Sequence, residues 1–155
     1  MSNSLRKQIR DTFKGAVSGV EDVGQQRVWV GPAIPPKIIL GGAWVWIVMC
    51  LDSFLSYRED SIVRRQMTLT VITIIRMDQV KNDSETDQAD AVHEKVVAAI
   101  EELYKTNVGG LVCKMTEDPG AGISIEGLDD KDQFAMAGTS WTIQYERELG
   151  TAALA

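Results

Sequence analysis

A chain of 155 residues, 45% hydrophobic and 25% charged, has the size of one domain, is long enough to bury a core without disulfide or metal staples, and is too apolar for whole-chain disorder. Its net charge of -6 and pI near 4.8 are the reverse of the footprint that nucleic-acid binding requires. Residues 1–76 hold ten Lys or Arg against six Asp or Glu, and residues 77–155 hold six against sixteen, a polarity that serves either pairing inside the domain or complementarity between copies.

Met1 to Lys14 is polar and lacks an apolar h-region, so no secretory signal is expected. Leu5, Ile9, Phe13 and Val17 recur every four residues, which predicts a helix over about Ser4 to Val17 that ends near Gly19. Arg6, Lys7, Arg10 and Lys14 make its outer face basic, a pattern that suits a solvated face better than a phosphate or membrane site. Arg27 to Val30 reads as a short strand. Pro32, Pro35 and Pro36 then deny a ladder its donors, so this stretch is a loop.

Ile38 to Leu51 is an uncharged run of 14 residues that includes Gly41 and Gly42, short of the roughly 20 apolar residues of a membrane span. Apolar side chains alternate with apolar side chains from Trp44 to Leu51, which predicts a strand covered on both faces. Asp52 to Ser61 is polar and reads as a flexible excursion. Ile62 to Met77 is the strongest strand, with Met67, Leu69, Val71 and Ile75 on one face and Gln66, Thr68 and Thr70 on the other. Ile72 and Ile74 join the polar face, so that end is expected to be buried on both sides.

Ala89, Val92, Val96, Ala99 and Leu103 place an amphipathic helix over about Glu85 to Lys105, with Ser84 and Asp87 resembling a capping box and Asn107, Gly109 and Gly110 ending it. Strands are expected over Leu111 to Thr116, Ile123 to Ile125 and Ala137 to Glu148, with an acidic loop at Asp129 to Asp132. In the last strand Trp141, Ile143 and Tyr145 share one face. The fold class is therefore α+β, a mixed, mainly antiparallel sheet with an amphipathic helix on one face and an N-terminal helix, in one domain over residues 1–155.

Chemistry is sparse. His93 is the single histidine and falls inside a helix with no nameable partner, so a surface or packed role is expected. Cys50 and Cys113 sit in apolar patterns that suit buried, inert thiols. Asp83, Glu85 and Asp87 begin with calcium-loop spacing, but Gln88 stands where the loop needs glycine and a helix runs through the segment. Asp129, Asp130 and Asp132 suit a solvated turn better than a metal site. No catalytic, cofactor-binding or metal residues are assigned, and no enzyme activity is expected.

The order of elements carries a resemblance. An N-terminal helix, a proline-interrupted entry into apolar strands, a polar excursion, a long strand ending in Thr70-Val71-Ile72-Thr73-Ile74, one amphipathic helix and the closing Trp141-Thr142-Ile143-Gln144-Tyr145 segment resemble the tail terminator, or tail completion, proteins of long-tailed bacteriophages. The resemblance spans nearly the whole chain and lies in arrangement, length and acidic character rather than in signature residues.

It implies a virion structural protein that closes as a homo-oligomeric ring, usually a hexamer, on the head-proximal end of the tail tube. There it would stop tube polymerisation and present the surface for head attachment, with the tube protein and a head-tail connector protein as partners. DNA would pass through the lumen without specific binding, and neither cofactor nor membrane would be involved. Assembly would take place in the host cytoplasm, before incorporation into the virion. Such a ring uses heterologous contacts. Under it, Arg58, Arg64 and Arg65 are candidates to pair with Asp129, Asp130 or Asp132 of a neighbour, while an exposed basic patch without a partner stays open as the alternative. The other readings are a different head-tail connector or tail component, and a small ligand-binding or regulatory domain.

Overall fold

The computed structural model describes residues 4–21, 23, 27–31, 43–49, 53–59, 61–77, 83–118 and 133–150, with backbone alone at residues 76–77, 83–87 and 133–135. Helix α1 spans Leu5–Ser18, because Ser4 caps it and its four-residue repeat puts Leu5, Ile9, Phe13 and Val17 on one buried face. The cap is direct: Ser4 Oγ accepts from the Lys7 amide at 3.2 Å. Burying each of those four side chains contributes about 1.5–3 kcal/mol before the entropy of ordering is subtracted.

Strands β1 (Val28–Val30), β2 (Ala43–Met49), β3 (Ser53–Arg58) and β4 (Ile62–Met77) follow. Helix α2 (Asp83–Lys105) leads to β5 (Lys114–Glu117) and β6 (Gln133–Glu148). The sheet runs in the order β1-β2-β4-β6-β5, with β3 also on β4. Among the described strands β1 and β2 pair in parallel and the other pairs are antiparallel. This is the α+β architecture expected from the patterning.

Strand β4 is the spine. It pairs with β6 from Ile62↔Glu148 to Met77↔Gln133, so the two share their full length. On its other edge β2 and β3 succeed one another, covering Ile75 to Leu69 and then Gln66 to Ile62. The predicted excursion over Asp52 to Ser61 is therefore corrected. Its residues 53–58 form β3, which turns into β4 through Glu59 at φ 65°.

Alternation decides the two faces. Val45, Ile47, Met67, Leu69, Val71, Ile75, Trp141, Ile143 and Tyr145 are buried with the apolar faces of α1 and α2. On the opposite face Ile72, Ile74 and Trp46 are buried, with Trp29, Trp44 and Val48 packed against them. The extra apolar residues of β4 thus bury its C-terminal end on both sides, as the sequence requires. From Arg64 to Thr70 the same face of β4 is polar, and there Thr70 Oγ1 meets Ser140 Oγ and Thr142 Oγ1 donates to Asp118 Oδ1, each at 2.8 Å.

Several boundaries shift, and β6 begins at Gln133 rather than at the expected Ala137. Helix α2 begins at Asp83, so Ser84 lies inside its first turn rather than at the cap. After α2, Asn107, Val108, Gly109 and Gly110 all take positive φ, a left-handed turn that delays the next strand from Leu111 to Lys114. Glycine suits such a turn; Val108 does not, and its complete burial helps hold it there. The prolines at 32–36, Cys50, the predicted strand Ile123 to Ile125 and the loop with Asp129, Asp130 and Asp132 lie outside the described residues.

Candidate subunit interface

Strand β3 of the β3–β4 hairpin carries the largest group of exposed apolar side chains in the described sheet. Among the described residues six large apolar side chains are exposed, and three of them, Phe54, Leu55 and Tyr57, fall within one six-residue strand. A register shift between Phe54 and Ser56 breaks simple alternation, as a bulge does, and lets the Phe54 and Tyr57 rings meet with centroids 4.9 Å apart. Phe54 is opposite Arg65 and Tyr57 is opposite Val63, so both stand on the face that carries the helices. Exposed aromatic side chains with the half-buried Arg65 beside them have the composition of a protein contact surface.

The other face of this end is ionic. Arg58 Nε donates to Glu146 Oε2, Arg58 Nη1 lies 3.3 Å from Glu59 Oε1, and Arg64 Nε stands 3.9 Å from Glu146 Oε1. Two guanidinium groups thus converge on one carboxylate. Glu146 satisfies Arg58 but leaves Arg64 Nε buried without a hydrogen bond. Arg65 is turned to the opposite face and is engaged there. Of the six candidate interface residues, the structure brings Arg58 and Arg64 together through a partner that sequence reasoning did not single out. Asp129, Asp130 and Asp132 lie outside the described residues.

Cys113 is a correction: it is exposed, in the turn before β5, rather than buried in a strand. Its sulfur is nonetheless turned inward, donating to the Gln144 carbonyl at 3.3 Å, and partial loss of water pushes the thiol pKa up. A raised pKa lowers the thiolate fraction, which is the reverse of an activated nucleophile.

His93 is buried, and its two ring nitrogens each find a threonine hydroxyl at 2.9 Å, Nδ1 that of Thr73 and Nε2 that of Thr139. A neutral imidazole offers one donor and one acceptor, and each hydroxyl supplies the complement. Burial holds its pKa below the ordinary 6.5, with Asp90 opposing that shift. The ring ties α2 to β4 and β6, the two strands that extend into the hairpin end. It leaves no ring nitrogen free for proton transfer.

Helix charge completes the surface. Helix α1 carries Arg6, Lys7, Arg10 and Lys14 against Asp11, whereas α2 carries seven carboxylates against Lys95 and Lys105. Lys7 bonds Asp11 at 2.7 Å and Lys105 bonds Glu102 at 2.8 Å, both within their own helix. No described helix is long and apolar enough to cross a membrane. Neither protein-family models nor curated proteins give a match to this chain.

Proposed function

We propose that the protein is a structural assembly protein that closes as a ring, a hexamer in the reading drawn from element order, on the head-proximal end of a phage tail tube. It stops tube polymerisation and offers the surface for head attachment. The observation that carries an assembly role is the β3–β4 hairpin, where an edge strand exposes Phe54, Leu55 and Tyr57 beside arginine side chains. An isolated edge of this kind is a liability unless a partner covers it. The structural use of His93 supports the same reading, because the chain's single histidine is committed to two threonines.

The specific place on the tail rests on the order of elements in the sequence. Polymerising purified tail tube protein with and without this protein, and measuring tube length, tests it. Tubes stop at a defined end when the protein is present, and a ring is visible on that end. Tubes that keep growing, with no added density at either tip, contradict the terminator role. Long open fibres of this protein alone favour a tube-like component instead.

A further inference from the structure

Helices α1 and α2 pack side by side on one face, with α1 over β1 and β2 and α2 over β4 and β6. Because β4 and β5 are each antiparallel to β6, they run parallel to one another and α2 is the crossover between them. Such crossovers turn right-handed in about 98% of cases. With the strand order given and about 3.6 residues per helical turn, that hand directs Arg10 and Lys14 away from α2, and Asp90, Glu94 and Glu101 away from α1. One lateral flank of the domain is therefore basic and the opposite flank acidic.

The flanks also match in height. Arg6 lies against Met67 and α1 continues towards β1, whose residues are level with Val71 to Thr73 of β4. His93 is fixed on Thr73, and α2 runs the other way. At about 1.5 Å rise per residue, Arg10 and Lys14 on one flank and Glu94 and Glu101 on the other occupy the same stretch of β4, between residues 67 and 73. Lys14, Glu94 and Glu101 are exposed and have no ion-pair partner among the described residues.

The sheet edges repeat the arrangement. Level with Gln66 the strands run β3, β4, β6 and β5, through Ser53, Gln66, Gln144 and Lys114. The outer edges of β3 and β5 have no strand partner among the described residues. One free edge lies on the side of the basic flank and the other on the side of the acidic flank.

From these placements we infer that the basic α1 flank of one copy docks on the acidic α2 flank of the next, with Arg10 and Lys14 facing Glu94 and Glu101. This rests on the assembly reading and names its surfaces. The contact is heterologous, because a flank of either sign repels its own kind.

Two single-cysteine variants, Lys14→Cys and Glu101→Cys, each also carrying Cys50→Ser and Cys113→Ser, test it with a short bismaleimide. The mixture gives covalent dimers and neither variant alone does. Lys14→Cys alone cross-linking to itself overturns the inference. So does no cross-link in the mixture, with or without tail tubes: if native mass shows a ring, the surfaces named are wrong and the ring stands, and if it shows a monomer at every concentration and tubes gain no ring, both fall. As a second measure, the double variant Arg10→Glu with Lys14→Glu weakens self-association at least about tenfold, and Glu94→Lys with Glu101→Lys on a mixed partner restores it. Unchanged association in the double variant overturns the inference.

Discussion

The two ends of the long β4–β6 ladder are built for different tasks. Under α1 and α2, Phe13, Ile47, Leu69, Ile100 and Ile143 have no exposed surface, and the polar intrusion of Thr73 is matched by His93. At the hairpin end, Tyr57 is 62% exposed and two arginines share Glu146. The first region fixes one structure and the second presents a surface. The same pair of strands runs through both, so position at the covered end is transmitted to the exposed end by a continuous sheet.

The difference is broken most severely from the covered side. Phe13→Ala removes a fully buried ring between α1 and the sheet and is expected to cost about 3–5 kcal/mol, read as a fall in denaturant midpoint. Next comes Thr73→Val, which keeps the shape but leaves His93 Nδ1 buried and unpaired; about 1–3 kcal/mol is expected by the same measurement. A midpoint equal to that of the parent would mean that the threonine bond is not formed in solution.

Acid sharpens the comparison. The folded pKa of His93 lies below its ordinary 6.5, chiefly because burial disfavours the imidazolium, so the unfolded chain takes the proton first. The stabilising contribution is complete above pH 6.5 and declines as pH falls through that value towards the folded pKa. The decline is at most about 1.4 kcal/mol per pH unit. Comparing the pH dependence of stability with that of His93→Gln isolates it, and parallel curves would contradict it.

The smallest effect on folding belongs to the exposed end. Phe54→Ser together with Tyr57→Ser is expected to change stability by no more than about 0.5 kcal/mol per site, while self-association falls. Equal loss of folding would place these rings in the core rather than on the surface.

Local patterning made most of the covered end legible. Strand β4 has the bounds its alternation predicts, and Ile72 and Ile74 marked the double-sided burial before any pairing was known. Strand β3 was hidden because its side chains are largely exposed and the bulge between Phe54 and Ser56 interrupts their period. Its runs of Phe, Leu and Tyr between serines were the available signal. Glu146 was not legible as the partner of Arg58, since 88 positions separate them and only the β4–β6 register brings them together. The left-handed Val108 was equally out of reach, because its backbone is held by burial that no local rule reports.

Everything argued for the exposed end depends on copies of the chain meeting one another. Native mass of the purified protein, measured across a wide range of concentrations, tests that most directly. A closed assembly of one fixed subunit number that persists on dilution is the expected result. A strict monomer at the highest concentration reached, with no ring gained on addition of tail tubes, would contradict it.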